Sequence, residues 1–501
     1  MNKEAEQEIK LQEEVTKIES VDAIPDDTNS LDDASESDVV DKADEEIESD
    51  DLEIDALDET ENKPTAAVEK KPSILYCVPA NCLDISSGAA LSQRTLLASL
   101  ASKGFKAIAL EALIFDSPHG GEHILKACKE QPDKKMYRSN VQGVEHLMVR
   151  TEHTRRPYMR ADEQERYLKF FREFIKKVKP DMVFMWGGML LEMTMMREAR
   201  EAGVPVVFYL VNGGYKNIET FKYVSVIVTD TQATADLFKE RLGLNLKVVG
   251  KFIDPALVIP KVPRRPDFMT FINPSFEKGV SVFMPMAKIL AREAPEIKLL
   301  VVQSRGRWGN ALKILGFKPE DFPNVRIIGH QTDMRPVYAS TRALLLPSLW
   351  HESGARVIAE AQLNGIPILG SNTGGTAELI GRGGCVFDIP EDVRENKTKL
   401  LVKEETLRPW IEEIKRIWHD QDYYNALVKQ VEEEAVQHDL SRNTDRFIAA
   451  VAPYVLESKG LGPDGKPKTN VKPSHLLNTG TEKKRPVKRK NSSIKRKKRK
   501  R

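Results

Sequence analysis

The strongest constraint on the fold is an alternation of short apolar runs with longer stretches of helical periodicity. In the first half of the chain, apolar runs such as SILYCVP (73–79), VPVVFYLV (204–211) and VSVIVTD (224–230) alternate with stretches such as ADEQERYLKFFREFIKKVK. In those stretches, apolar residues recur every three or four positions. This order predicts parallel strands joined by right-handed helical crossovers. The alternation stops in KFIDPALVIPKVPRRPD (251–267) and then starts afresh. We therefore expect an α/β protein with two doubly wound domains.

The same pattern sets the expected domain boundaries, because the 251–267 segment holds four prolines and no amphipathic period. Two doubly wound sheets that face each other leave a cleft at the carboxyl ends of their strands, where such sheets bind ligands. We expect a disordered acidic tail over 1–70, a first Rossmann-like domain over 71–255, a linker over 256–267, a second Rossmann-like domain over 268–440, a C-terminal helix over 441–458, and a disordered basic tail over 459–501.

Charge is strongly segregated along the chain, although the formal net charge is only +1. Residues 1–62 hold 25 acidic residues against 4 lysines, a composition that cannot bury enough apolar surface to fold. Residues 483–501 hold 13 basic residues and no acidic one. At about 1 kcal/mol for each basic residue near an anionic bilayer, this segment could hold the protein on a membrane. Nucleic acid, the acidic tail and plain solvation are the alternatives.

The four cysteines predict neither a disulfide framework nor a metal site. Cys77, Cys82, Cys128 and Cys385 form no C-x-x-C pair and have no histidine at zinc-ligand spacing. The acidic N-terminus lacks the apolar segment of a signal peptide, and no stretch approaches 18 consecutive apolar residues. We therefore expect a soluble cytoplasmic protein, with a peripheral contact to the inner membrane face as one role for the basic tail.

Two glutamates, Glu352 and Glu360, lie eight positions apart in HESGARVIAEAQLNGIPILG. On one helix they would be roughly 12 Å apart along the axis. A carboxylate pair that acts on one glycosidic bond needs only ~5 to 9.5 Å, so this pair is too widely spaced unless Glu352 lies in the preceding loop. The spacing suits hydroxyl groups at the two ends of an elongated ligand, with its anionic centre at the helix start. A capping role for Glu352 and a solvated Glu360 explain the spacing equally well.

The surrounding string, PSLWHESGARVIAEAQLNGIPILGSNTGGTAELI (347–380), helps to distinguish a ligand-binding role of the two glutamates from a capping or solvated one. It holds a Pro-Ser strand end, the two glutamates, an alanine-containing helix, Gly-Ile-Pro and Gly-Gly-Thr-Ala-Glu, in that order. This series resembles the signature of family 4 of the glycosyltransferases, and the resemblance extends more loosely over about 73–455. It implies the GT-B fold, in which two Rossmann-like domains face a cleft. The domain over 71–255 would then lie on the acceptor side, the domain over 268–440 would bind the nucleotide sugar, and the helix over 441–458 would cross back to the first domain. The resemblance also implies transfer of a sugar from a nucleotide diphosphate sugar with retention at the anomeric carbon.

The resemblance implies roles for individual residues. Glu352 would bind hydroxyl groups of the donor sugar, Glu360 the ribose, and Lys278 the diphosphate; Glu352 and Lys278 are the expected catalytic residues. The other expected donor-binding residues are Ser353, Gly354 and Arg356 at the helix start, Gly88 in the loop after the first strand, Gly374 and Gly375 in the glycine turn, and Asn273.

Asn273 departs from the family pattern, because the family usually has an arginine at this position. Arg305 or Arg307, in QSRGRWGN, is a candidate to supply the missing charge. His351, beside Glu352, reads as a local hydrogen-bonding residue rather than a base. We expect no metal, because the chain shows no Asp-x-Asp motif on a suitable strand and the family pattern does not call for one.

The resemblance predicts a hexosyltransferase-type enzyme of polysaccharide biosynthesis. Its donor is a nucleotide diphosphate sugar, its acceptor is a glycan or a lipid-linked molecule, and it needs no cofactor. One alternative is a catalytically silent GT-B scaffold that binds a membrane through its basic tail, with nucleic acid as the less favoured partner. A nucleotide-sugar epimerase or a phosphorylase of the same architecture is the other.

Overall fold

The computed structural model describes residues 71–465. The tails over 1–70 and 466–501 lie outside the described residues, so the disorder expected there stays a prediction. Residues 459–465, which we assigned to the basic tail, are described. There, the Lys459 ammonium lies 2.6 Å from a carboxylate oxygen of Asp181, which ties the end of the last helix to the first domain.

The first domain is built around one eight-stranded sheet. Its strands are β1 (Ser73–Cys77), β2 (Lys106–Ala112), β3 (Met136–Val141), β4 (Val144–Val149), β5 (Met182–Met185), β6 (Val206–Tyr209), β7 (Val226–Thr229) and β8 (Leu246–Val248). Its helices are α1 (Gly88–Ser102), α2 (Glu122–Lys129), α3 (Ala161–Lys177), α4 (Leu190–Glu201) and α5 (Gln232–Leu242). The strand order is β3-β4-β2-β1-β5-β6-β7-β8.

One strand of this sheet corrects the expectation of a purely parallel sheet. β3 pairs with β4 in the antiparallel direction, while the other neighbouring strands of the sheet run parallel. The two strands are joined by Gln142 and Gly143, which have φ angles of 53° and 80°. Two consecutive positive φ angles are typical of the tight hairpin turn that joins antiparallel strands. The sequence did not predict β3, because three of its six residues are polar and the strand, at the edge of the sheet, has no continuous apolar run.

The second domain is built around a six-stranded sheet whose strands all run parallel. Its strands are β9 (Phe268–Ile272), β10 (Leu299–Val302), β11 (Val325–Ile328), β12 (Thr341–Leu346), β13 (Ile368–Ser371) and β14 (Gly384–Phe387). Its helices are α6 (Val280–Glu293), α7 (Trp308–Leu315), α8 (Arg335–Ser340), α9 (Arg356–Leu363), α10 (Thr376–Ile380), α11 (Glu391–Glu395), α12 (Glu404–His419) and α13 (Gln421–Ala435).

The strand order of the second sheet, β11-β10-β9-β12-β13-β14, reverses direction between β9 and β12. Counted from its first strand, this is the 3-2-1-4-5-6 order of a dinucleotide-binding sheet. The first sheet reverses in the same way between β1 and β5. Ligands of such sheets bind at these switch points. We therefore expect ligand-binding residues in the loops after β1, β9 and β12.

The last helix, α14 (Leu440–Ser458), packs on the first domain rather than on the second. Its Phe447 ring lies 5.6 Å from the ring of Phe184 on β5, and the Thr444 hydroxyl is 2.8 Å from that of Ser99 on α1. The C-terminal helix that we expected over 441–458 corresponds to α14, and a 3-10 turn at Val436–His438 separates it from α13.

Within residues 71–465, no helix combines the length and the apolar character that crossing a membrane requires.

Candidate functional site at the switch point of the second sheet

Two loops meet at the switch point of the second sheet: the β9 loop (residues 273–279) and the β12 loop (residues 347–355). Gly279 closes the first of them with a φ angle of 85°. A side chain at this position would place its Cβ 1.8 Å from the carbonyl oxygen of Pro347, so only glycine allows the two loops to approach this closely. The contact brings Lys278 to the end of β12.

Lys278 and Glu352 form an ion pair at this junction. The Lys278 ammonium lies 2.6 Å from Oε1 of Glu352, and the two side chains are 25% and 7% exposed. The Ser348 hydroxyl donates to the same carboxylate oxygen at 2.6 Å. The Glu352 carboxylate is therefore fixed from two sides, while part of the lysine side chain still reaches solvent. A partly exposed ammonium held in place is suited to bind an anionic ligand.

Glu360 lies one turn into α9 and is nearly buried. Its Oε1 lies 2.5 Å from Nε of Arg356, and its Oε2 accepts a hydrogen bond from the Tyr338 hydroxyl. Burial, followed by the charge of Glu360, raises the pKa of Tyr338 well above its ordinary value, so this hydroxyl is a permanent donor. Glu360 is thus held by Arg356 at one carboxylate oxygen and by Tyr338 at the other.

The two glutamates do not share one helix. The structure begins α9 at Arg356, with Ala355 as the capping residue, and leaves Glu352 in the β12 loop. The separation of roughly 12 Å that a common helix gives therefore does not apply. Ser353 and Gly354, in the loop before the helix, contact the first domain.

The glycine turn packs directly on the backbone of Glu352. The amide of Gly375 donates to the Glu352 carbonyl oxygen at 2.7 Å. Gly374 has a φ angle of 56°, and a Cβ added to it would lie 2.4 Å from the same oxygen. The two expected donor-binding glycines thus lie beside Glu352, and their visible role is to support the loop that carries it.

Asn273 is engaged in shaping the β9 loop. It is 9% exposed, adopts a φ angle of 64°, and its Oδ1 accepts a hydrogen bond from the backbone amide of Gly306 at 2.8 Å. Asparagine is among the few residues that tolerate this conformation. A contact between Asn273 and the sugar donor stays a prediction. In the structure, Asn273 mainly links the β9 loop to the loop that contains Gly306. Arg305, one of the proposed replacements, lies 3.8 Å from Asp116 of the first domain.

The loop after β1 faces α9 across the domain junction. Ser87 caps α1, and a Cβ on Gly88 would lie 4.0 Å from Cβ and Cδ of Arg356. The Arg356 guanidinium also donates to the Phe252 carbonyl oxygen, 3.2 Å away, and lies 3.4 Å from the Ser92 hydroxyl. Gly88 and Arg356, predicted separately from the sequence, are therefore neighbours.

Residues for which the sequence predicted no role hold the two domains together beside the β12 loop. The Thr231 hydroxyl donates to the carbonyl oxygen of Ser353 at 2.5 Å. A Cβ on Gly354 would lie 2.5 Å from Cβ of Asp230, which itself pairs with Lys251 at 2.7 Å. Asp230 and Thr231 follow β7 at its carboxyl end, a position that could have drawn attention to them.

Glu378 makes a further contact between the domains. Its two carboxylate oxygens accept hydrogen bonds from the amides of Gln232 and Ala233, at 2.8 and 2.9 Å. These amides belong to the first turn of α5, whose N–H groups have no partner within the helix. The glutamate of the Gly-Gly-Thr-Ala-Glu motif is therefore a helix cap supplied by the other domain.

His351 stacks over the backbone of the first domain. A Cβ on Gly213 would lie 2.9 Å from Cδ2 of His351, and Nε2 of the ring is 3.5 Å from the Thr234 hydroxyl. Burial and the nearby Arg241 guanidinium lower the pKa of His351. The neutral imidazole is thus the expected form, which agrees with a local hydrogen-bonding role.

Residues 268–420 match the family model described as "Glycosyl transferases group 1". No curated protein matches the chain significantly.

Solved structures resemble this chain over most of its length. Sucrose-phosphate synthase from Thermosynechococcus elongatus is 13% identical with a TM-score of 0.57, over 76% of this chain and 98% of that one. Anabaena HepE, solved with UDP and glucose, is 15% identical with a TM-score of 0.54, over 76% and 99%. Trehalose 6-phosphate synthase from Burkholderia multivorans is 12% identical with a TM-score of 0.51, over 76% and 98%. At these identities the likeness establishes the fold, which is the GT-B fold.

Proposed function

We propose that this chain is a retaining glycosyltransferase of the family 4 type, which moves a sugar from a nucleotide diphosphate sugar to an acceptor. One observation carries the proposal: Lys278 and Glu352 are paired at 2.6 Å at the switch point of the second sheet. This pair lies within the segment that matches the group 1 glycosyltransferases. Donor molecules recorded with structural neighbours, UDP and UDP-glucose in HepE, give the class of ligand to test first.

The diphosphate of the donor is assigned to Lys278 and the start of α9. As the bond to the sugar breaks, negative charge builds up on the departing diphosphate, and a preorganised ammonium lowers the energy of that transition state. The first backbone amides of α9, around Arg356, add the positive end of a helix dipole. These groups supply the charge that a metal ion provides in other transferases, so we expect transfer to proceed without one.

The two glutamates are assigned to the two ends of the donor. Glu352 would accept hydrogen bonds from hydroxyl groups of the sugar, and Glu360 from the ribose. Both carboxylates already have protein partners, but an ionised carboxylate offers about four acceptor positions. The contacts from Ser348, Tyr338 and Arg356 leave room for ligand hydroxyls and hold each carboxylate in a fixed direction.

The acceptor is assigned to the first domain, next to Gly88. A glycan or a lipid-linked acceptor would reach the sugar from this side, and the departing phosphate itself would take the proton of the attacking hydroxyl. Retention at the anomeric carbon requires attack from the face that the diphosphate leaves, so we assign the acceptor hydroxyl and the diphosphate to the same face of the sugar. The basic segment 483–501 would bring such an enzyme to an anionic membrane.

The proposal is tested by turnover. Purified full-length protein is incubated with a panel of uridine, guanosine and adenosine diphosphate sugars, together with a set of glycan and lipid-linked acceptors, and release of the nucleoside diphosphate is followed with a coupled assay. We expect one donor class to be consumed, and Lys278→Met to lower the rate by about 100-fold to 1,000-fold, the loss seen when one charge-stabilising group is removed.

A matched control is Lys288→Met, which removes an exposed lysine of α6 that pairs with Asp321. It should turn over the donor at the wild-type rate. Nuclear magnetic resonance of the product then reports the anomeric configuration. No turnover of any nucleotide sugar, or equal rates for the Lys278 and Lys288 variants, would contradict the proposal.

A further inference from the structure

Three side chains that the proposed transfer does not use meet inside the first domain. Cys82 lies in the loop after β1, Glu111 near the end of β2 and His146 in β4, and each is 0% exposed. Their ligand atoms, the thiol sulfur, one carboxylate oxygen and one ring nitrogen, all lie within 4.8 Å of one another. Such groups are expensive to bury together unless their polar atoms are satisfied.

The contacts within this cluster converge on one atom of the histidine. Nδ1 of His146 is 3.2 Å from Oε2 of Glu111 and 3.9 Å from Sγ of Cys82. A neutral imidazole carries at most one proton on this nitrogen, so it can donate to only one of the two neighbours. The other ring nitrogen, Nε2, has no hydrogen-bond partner among the described residues. Within the described part of the chain, Nε2 of His146 is therefore a buried polar atom without a hydrogen-bond partner beside the Cys82 thiol and the Glu111 carboxylate.

The geometry matches what a tetrahedral metal ion requires. Zinc binds sulfur at about 2.3 Å, and nitrogen and carboxylate oxygen at about 2.0 to 2.2 Å, so neighbouring ligand atoms lie roughly 3.3 to 3.6 Å apart around it. The two measured separations, 3.2 and 3.9 Å, lie close to those edges. Glu111 is also oriented, because its Oε1 accepts a hydrogen bond from the backbone amide of Cys82 at 2.7 Å.

A cysteine beside a histidine and a glutamate could also be a nucleophile with its base. Burial decides against that function here. A nucleophile must meet its substrate, but the Cys82 side chain lies beneath the surface with an exposure of 0%. A metal ion can be enclosed as the domain folds and needs no substrate path. The combination of a thiolate, a carboxylate and an imidazole is also a donor set that zinc accepts.

We propose that Cys82, Glu111 and His146 bind one zinc ion inside the first domain. Binding releases the thiol proton, and the thiolate and carboxylate together balance the charge of the dication. With three protein ligands, the fourth tetrahedral position is assigned to a water molecule. The site would tie the loop after β1 to β2 and β4, and that loop leads into Gly88 at the domain junction. This proposal is independent of the proposed sugar transfer.

Metal content tests the proposal directly. The full-length protein is produced in zinc-supplemented medium, purified without a metal-affinity step, desalted, and analysed by plasma mass spectrometry. We expect one equivalent of zinc per chain in the wild type, and none at this site in Cys82→Ser or His146→Gln. The matched control is Cys128→Ser, which changes another buried cysteine of the same domain and should retain the full equivalent.

Cobalt gives a second readout that does not depend on how well a variant folds. Wild-type protein reconstituted with Co²⁺ should show the visible bands of a tetrahedral site and a thiolate charge-transfer band in the near ultraviolet. Folded wild-type protein that takes up neither zinc nor cobalt stoichiometrically would overturn the proposal. Retention of the thiolate band by Cys82→Ser would overturn it as well, because the sulfur ligand would then lie elsewhere.

Discussion

The ion pair between Lys278 and Glu352 gives the most specific prediction for stability. At 2.6 Å and an effective dielectric constant of about 20, the direct attraction is roughly 6 kcal/mol. Removing both groups from water offsets much of it, because the carboxylate is 7% exposed and the ammonium 25%. We expect a net coupling of about 2 kcal/mol, at the lower end of the values measured for close charge pairs.

A double-mutant cycle isolates this coupling. Lys278→Met keeps the length of the side chain, but within residues 71–465 it leaves the Glu352 carboxylate with Ser348 as its one side-chain partner, and should lower the free energy of unfolding by about 2 to 3 kcal/mol. Glu352→Gln should cost about 1 to 2 kcal/mol, because the remaining ammonium can still reach water. The double variant, with two neutral side chains, should be more stable than the sum of the single effects implies.

Urea unfolding followed by circular dichroism measures the four free energies of unfolding. The control cycle uses Lys288→Met and Asp321→Asn, an exposed pair of the same domain at 2.8 Å, whose coupling should be too small to resolve. If the Lys278 and Glu352 variants were additive, with a coupling below about 0.5 kcal/mol, the two groups would not form the preorganised pair on which the proposed mechanism depends.

Three further predictions concern other parts of the same architecture. Gly374→Ala should lower the free energy of unfolding by about 2 to 4 kcal/mol, because its Cβ would lie 2.4 Å from the Glu352 carbonyl oxygen at a φ angle of 56°. Gly243→Ala, which has a similar φ angle of 70° and open space around it, should cost only about 1 kcal/mol in the same urea titration. Burial and a nearby lysine lower the pKa of His438 from 6.5 to about 4, so the unfolded chain binds its proton first. Its contribution to stability is complete above pH 6.5 and is lost, by up to about 3 kcal/mol, as the pH falls towards 4; His438→Gln should remove this part of the pH dependence, and an unchanged slope would contradict it. Glu378→Gln should lower the melting temperature modestly, by a loss of about 1 kcal/mol, because the neutral amide accepts less strongly from the α5 amides; a melting temperature equal to that of the wild type would refute the capping role.

The fold could be predicted from the sequence because its signal is repeated. Each buried parallel strand is a short apolar run, and each crossover helix has its own apolar period, so a local error does not change the class. The strand that was missed lacks this signal. β3 lies at the edge of the sheet, and three of its six residues are polar, so it forms no continuous apolar run.

The candidate site could be predicted in part. The order of motifs between residues 347 and 380 identified Glu352, Glu360, Gly374 and Gly375 as a group. The partner of each carboxylate could not be predicted, because the partners lie elsewhere in the chain. Lys278 is 74 positions from Glu352, and Tyr338 is 22 positions from Glu360. Spacing along one segment carries no information about such contacts.

The residues of the proposed zinc site could not be predicted from their spacing in the sequence either. Cys82, Glu111 and His146 are separated by 29 and 35 positions, and no short ligand motif joins them. They meet only because β2 and β4 are neighbours in the sheet and the loop after β1 lies beside them. The sequence alone therefore predicted no metal at these cysteines, and only the arrangement of the strands suggests one.

The central claim is that the switch point of the second sheet binds a nucleotide diphosphate sugar. Isothermal titration calorimetry of the full-length protein with a panel of nucleoside diphosphates and their sugars tests it most directly, with wild type, Lys278→Ala and Glu360→Ala compared. We predict selective binding of one nucleotide class by the wild type, weakened at least tenfold, or about 1.4 kcal/mol, by each substitution. Binding of none of the nucleotides by the folded wild type, or equal affinities in all three proteins, would contradict the claim.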